Sequence, residues 1–187
     1  RVDPALPNPV EPPAMLMTDP PQHTEYRRLV ARSFAPKSIA ALDTRIGELT
    51  AELLDDLGRR AEVDLIADYA AQLPAAVISE MLGIPTSERA RILGWGTTVA
   101  ALLDIGISWR PFRAAIDDLL DVDSYLGEHF GRLRLQDGDE TPLRKLALDG
   151  SLSGRELSSN AALLIGAGIE TTVNLIGNGI ARKVMRR

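Results

Sequence analysis

Apolar residues recur at helical spacing along most of this chain. Between residues 37 and 57 they fall at Ile39, Leu42, Ile46, Leu49, Leu53 and Leu57. The gaps of 3, 4, 3, 4 and 4 predict an amphipathic helix, with Gly58 as its C-cap. Tyr26, Leu29, Val30 and Phe34 predict a helix over about 20–34. Asp19 reads as its N-cap, Pro20 as its first helical position, and Gln22 as the partner in a capping box. Val63 to Ile66 reads as a short non-helical connection. A helix over about 68–82 follows, disturbed at Pro74 and ended by Gly83 and Pro85. Further helices are predicted over about 87–103, 111–133 and 143–148. The longest places Phe112, Ile116, Leu119, Leu126, Phe130 and Leu133 on one side. Residues 136–142 read as a surface loop. No pair of strands with a hairpin turn is evident, so the expected class is all-α.

One stretch organises the rest, the apolar run from Asn160 to Gly179 with Glu170, Thr171 and Thr172 set in its middle. Ser153 and Glu156 before it form a capping box, and Leu152 and Leu157 have hydrophobic-staple spacing. A helix is therefore expected from about Gly154. A membrane span is a poor reading. The length suits the ~20 residues that a span needs, but Glu170, Asn174 and Asn178 interrupt it. A central carboxylate alone costs about 2.5–3.5 kcal/mol on insertion. A dinucleotide loop fits worse, because Gly166 and Gly168 are followed by Thr171 where a third glycine belongs. What remains is a buried central helix that passes a ligand. Ala167, Gly168 and Thr171 share one face and leave a notch there. A mid-helix glycine costs about 1 kcal/mol relative to Ala, so something presses close to Gly168, whether a ligand or a second helix.

Composition changes the picture little. The chain has 187 residues, 45% apolar and 25% charged, the profile of one ordinary soluble domain. A net charge of −5 argues against binding nucleic acid or an anionic membrane surface. Cysteine is absent and there are two histidines, His23 and His129. That excludes disulfides, thiolate catalysis and Cys- or His-rich metal sites within these residues, so no metal ligand is assigned. The opening residues lack a signal-peptide pattern, and a cytoplasmic location is expected. Residues 1–17 hold five of the twelve prolines and read as extended. The expected organisation is one partial domain over 1–187, with a Pro-rich segment over 1–18, a helical region over 19–151 and the central helix region over 152–187.

Three constellations carry candidate chemistry. His23 and Arg27 are four apart on one helix face and suit an anion such as a carboxylate, although a solvated pair is the plainer reading. Arg28 and Arg32 form a second such pair, a docking patch for an acidic partner or a solvated face. Glu170 and Thr171 place a carboxylate beside a hydroxyl that can relay protons. The structural alternative is that Thr171 bonds back to the carbonyl of Ala167 and Glu170 is paired.

Together these stretches resemble a known family. Asp19-Pro-Pro-Gln-His-Thr-Glu-Tyr-Arg-Arg-Leu-Val30, with Phe34 after it, is similar to the C-helix region of the soluble bacterial cytochromes P450. Leu73-Pro-Ala-Ala-Val-Ile-Ser-Glu-Met-Leu-Gly-Ile-Pro85 is similar to a further segment. Leu152-Ser-Gly-Arg-Glu-Leu157 and Ala167-Gly-Ile-Glu-Thr-Thr-Val-Asn-Leu-Ile-Gly-Asn-Gly179 resemble the start and centre of the family's I helix. The resemblance implies a haem b cofactor, with His23 and Arg27 on its propionates and Ala167 and Gly168 beside it. It implies that Glu170 and Thr171 deliver protons during oxygen activation. It places Arg28 and Arg32 on the side where a ferredoxin-type electron donor docks.

The resemblance also implies what is missing. It covers the centre of the P450 fold, so truncation at both ends is expected. The cysteine loop that ligates iron is not in these residues. The E-x-x-R spacings at Glu25 and Arg28 and at Glu88 and Arg91 fall where the family does not place that motif. The basic run after Ile180 replaces the apolar continuation of the family. The expected function is a piece of a monooxygenase that oxidises an apolar small molecule with O₂ and two electrons, inactive alone. The alternative is a non-catalytic helical remnant, or a module that binds haem or another small ligand.

Overall fold

The computed structural model describes residues 14–102, 106–135 and 141–186. The Pro-rich expectation for residues 1–13 and most of the loop expectation for 136–142 lie outside them, as does Leu103, where the fourth helix was expected to end. Seven α-helices follow one another: α1 Gln22–Ser33, α2 Pro36–Leu57, α3 Gln72–Leu82, α4 Arg89–Ala101, α5 Trp109–Leu135, α6 Pro142–Asp149 and α7 Gly154–Val184. Among the described residues there is no strand. The all-α expectation holds.

Helix ends show how local chemistry sets the boundaries. The Ser153 hydroxyl accepts from the Glu156 amide while the Glu156 carboxylate accepts from the Ser153 amide, the predicted capping box. Leu152 and Leu157 beside it are both buried. α3 stops in a Schellman motif, in which the Gly83 amide reaches the Glu80 carbonyl and the Ile84 amide reaches the Ser79 carbonyl.

Two boundaries differ from expectation. Asp19 does not cap α1 through its side chain, for its carbonyl takes the His23 amide at 3.0 Å. Pro20 and Pro21 form a turn joined by a cis bond ahead of the helix. Leu65 and Ile66 are not in a connection, because Leu65–Ala70 forms a π-helical turn. The Asp64 carboxylate caps it, accepting from the amides of Ile66 and Ala67. Pro74 lacks the amide that would reach the Ala70 carbonyl. The turn before it widens instead, with the Ala71 amide donating to Ile66 at 2.9 Å.

α7 lies at the centre, packed against α3, α4, α5 and the π turn. Its first half is buried through Leu157, Ala161, Ala162, Ile165 and Ile169. These meet Ile92 and Trp95 of α4 and Val122, Leu126 and Phe130 of α5 in one core. Each such aliphatic side chain contributes about 1.5–3 kcal/mol when fully buried. Of the predicted apolar side of α5, Leu126 and Phe130 lie in that core and Leu133 packs against it, while Ile116 is buried and Phe112 and Leu119 are half-buried. α2 is covered less completely, with Leu49 1% exposed but Ile39 46% exposed.

Close helix approach depends on small residues. A Cβ at Gly96 would lie 2.7 Å from Ile169 Cδ1 and 3.1 Å from Ile169 Cβ, inside contact distance. A Cβ at Gly168 would lie 3.0 Å from Ile78 Cδ1 on α3. What presses against Gly168 in this fold is therefore a second helix.

Candidate functional site

The candidate face of α7 begins where its burial ends. Ala167, Glu170 and Thr171 are exposed on one side, and after Ile169 no residue of the helix is buried. Leu175, one turn further on, is 73% exposed. An apolar central helix thus presents a small residue, a hydroxyl, a carboxylate and a leucine outward. Gly168 lies between this face and α3, half-buried, so its missing side chain has a packing reason. Ala167 is the small residue of the open side.

The Thr171 hydroxyl donates to the Ala167 carbonyl at 2.6 Å. This is the back-bond that the structural reading of a mid-helix threonine anticipated. In this arrangement its lone pairs face outward and its proton does not. To donate away from the helix, the hydroxyl must release that carbonyl. Glu170 has no hydrogen-bond or ion-pair partner among the described residues.

On α1 the buried stripe is Tyr26, Leu29, Val30 and Ser33. By 100° per residue, His23 and Arg27 stand together on one flank of that stripe, and Arg28 and Arg32 stand towards the opposite side. His23 is half-buried and Arg27 exposed, and neither has a partner among the described residues. By comparison, Arg45 pairs with Glu80 at 2.8 Å and Arg91 with Asp121 at 2.6 Å. Pro20, Pro21, Thr24, Glu25 and Arg28 line a shallow, open concavity, which His23 and Arg27 do not border. No hydrogen bond or ion pair joins the His23 and Arg27 pair to Glu170 or Thr171 within the described residues.

What does join α1 to α7 is a relay that the apolar pattern concealed. Tyr26 counted there as an apolar position. Its ring is buried, but its hydroxyl donates to Glu156 Oε1 at 2.5 Å, and Gln22 Nε2 donates to that hydroxyl at 2.7 Å. The bond from Tyr26, and then those from Ser153, hold the Glu156 carboxyl below its ordinary range. Burial, and then the Glu156 carboxylate, hold the Tyr26 hydroxyl above its own. Both shifts keep the proton on the tyrosine. Asn160, 1% exposed, completes the junction. Its Oδ1 accepts from the Met15 amide at 2.9 Å and its Nδ2 donates to the Glu156 carbonyl at 2.8 Å. A buried tyrosine or asparagine needs such partners. That need was the available signal, but sequence does not say where the partners lie.

His129 is a core residue. It is 5% exposed, its Nε2 lies 3.0 Å from the Leu82 carbonyl, and it stacks on Tyr125. Among the described residues no group of three His, Cys, Asp or Glu is placed to hold a metal ion. α7 has the length and composition of a membrane span, which alone is weak evidence; its first half is buried in the core, while 17% of its most apolar window is buried.

No protein-family profile matches the chain. Individual relatives do. The chain is 43% identical over 169 residues to cytochrome P450 107B1 of Saccharopolyspora erythraea, covering 89% of this chain and 40% of that protein. It is 37% identical over 181 residues to vitamin D(3) 25-hydroxylase of Pseudonocardia autotrophica, covering 95% of this chain and 42% of that one. Its fold matches the LnmA cytochrome P450 hydroxylase of Streptomyces atroolivaceus with a TM-score of 0.80 at 28% identity, over 94% of this chain and 45% of that chain. The chain thus spans about two fifths of the length of the curated relatives it matches.

Proposed function

The chain belongs to the cytochrome P450 family, and on that premise we propose that it supplies the oxygen-side helix and the carboxylate-holding helix of a haem-thiolate monooxygenase. The observation that carries this reading is the open face of α7. A core helix that turns Ala167, Glu170, Thr171 and Leu175 outward presents a surface suited to a broad apolar group and to protons.

The residues present fit haem. Its two carboxylates need hydrogen-bond donors, and His23 and Arg27 are donors on one flank of α1 without a partner among the described residues. Its apolar ring needs clearance, which Ala167 gives on α7. When bound, haem supplies the reductive activation of dioxygen. The chain's own part is to hold the propionates, exclude water and move protons. Glu170 exchanges protons with solvent, since it is exposed and has no partner among the described residues. The Thr171 hydroxyl, turning from the Ala167 carbonyl, donates into the site.

The 187 residues contain no cysteine, so the axial thiolate is not among them and the chain alone does not complete the reaction. The substrate class of the whole protein is an apolar small molecule, its oxidant O₂ and its location cytoplasmic. Arg28 and Arg32, both exposed, suit an acidic ferredoxin-type donor. The test of the haem assignment is retention. Changing His23 and Arg27 together to Ala in the complete protein should speed haem transfer to apomyoglobin by tenfold or more, on the scale of about 1.5–3 kcal/mol for a charged hydrogen bond. An unchanged rate would remove the propionate roles.

A further inference from the structure

We propose that Tyr26 and Glu156 are positioning residues, which set the direction in which His23 and Arg27 face. This inference rests on the reading of that pair as the propionate holders. Gln22 and Tyr26 each precede a member of the pair by one residue, so the relay and the pair share the same two turns of α1. α1 packs mainly on α6 and on the short turn Met15–Met17, and only thinly on α7. Against α7, its polar attachment is the Tyr26 hydroxyl on Glu156 at 2.5 Å.

Glu156 is itself fixed. Its Oε2 accepts from the Ser153 amide at 2.8 Å in the capping box while Oε1 takes the tyrosine. The carboxylate therefore has one oxygen for each helix. It anchors α1 to the rigid start of the helix whose later turns carry Ala167, Glu170 and Thr171. Those turns lie about 17–22 Å along the axis from Glu156. Helix α7 is the common frame for both halves of the site, and the Tyr26 bond fixes α1 in rotation against it. Apolar contacts of Leu29 and Val30 hold α1 down but tolerate a turn of the helix about its axis. A directed hydrogen bond to a charged acceptor does not. Turning α1 would swing both donors of the pair together.

The experiment is a double-mutant cycle on the complete, haem-loaded protein, read as the rate of haem transfer to apomyoglobin. Tyr26→Phe keeps the ring and removes only the hydroxyl. It should speed haem loss about fivefold. In a His23→Ala, Arg27→Ala background it should have no further effect, since there is no pair left to aim. Replacing haem by its dimethyl ester, which has no free carboxylates, should likewise abolish the effect of Tyr26→Phe. Glu156→Gln has a single acceptor oxygen and cannot serve both Tyr26 and Ser153, so it should speed haem loss as Tyr26→Phe does, and again only where the pair is present. Thermal midpoints of the two Tyr26 forms report any purely structural loss, which would be equal in both backgrounds. An equal acceleration by Tyr26→Phe with and without the pair, or none in either, overturns the positioning role and leaves the pair intact. An unchanged rate in the His23→Ala, Arg27→Ala background itself overturns the propionate reading, and this inference with it.

Discussion

Single residues decide where charge and protons rest in this molecule. The pair at Thr171 and Ala167 shows a hydroxyl that has already used its proton within the helix. The chemistry proposed for it therefore includes a rotation, not only a position. His129 gives the residue-scale prediction. Burial first, and the nearby Arg132 as a lesser cause, push its imidazole below the ordinary value, against the opposing bond to the Leu82 carbonyl. The folded protein holds it neutral while the unfolded chain protonates near pH 6.5. Its contribution to stability is present above that pH and is lost as pH falls through and below it. Thermal midpoints should drop from pH 7.5 to pH 5.5, and His129→Gln, which can still donate to Leu82, should flatten that slope. Glu156 acts in the same direction but at lower pH, since its depressed carboxyl is protonated only below the ordinary carboxylate range. An equal slope in both proteins would place the pH dependence elsewhere.

At the scale of elements, the determinant is how near two helices come. Gly96 on α4 and Ile169 on α7 meet where no Cβ has room, whereas a Cβ at Gly94, on the same helix, would meet nothing within 4 Å. The two glycines should therefore answer oppositely to substitution. Gly94→Ala should stabilise by roughly 0.5–1 kcal/mol through helix propensity alone. Gly96→Val should destabilise by about 1–3 kcal/mol through overpacking. Urea unfolding of both variants tests this: no loss in Gly96→Val would show that the α4–α7 contact is looser than the structure has it, and a loss in Gly94→Ala would show that the space at Gly94 is not open. The same geometry gives Gly168 a neighbour. From sequence, a ligand or a neighbouring helix explained its missing side chain equally well, and Ile78 of α3 fills the place. The cap of α7, by contrast, was readable in advance, since Ser153 and Glu156 are three residues apart and their bonds are local.

For the whole molecule, the two halves of α7 have different surroundings. The first is covered by α3, α4 and α5, while Leu175, Val184 and Met185 of the second are 73%, 67% and 79% exposed. The complete P450 relatives are more than twice as long as the stretch matched here. The 187-residue chain, reduced and treated with haem and carbon monoxide, should show no thiolate-type Soret band, because no residue in it can give a thiolate. A thiolate-type band would refute the ligand assignment. The sequence by itself determined the helical class, the cap at Ser153, the core positions Leu126 and Phe130 of α5 and the residue types at His23, Arg27, Glu170 and Thr171. Each of these follows from neighbours within a turn or two, where spacing along the chain is spacing in space. Only the tertiary structure decided that Tyr26 bonds Glu156, that Asn160 holds Met15, and that Ile78 occupies the notch at Gly168. Those pairs lie 130, 145 and about 90 residues apart, and contact at that range depends on how helices pack.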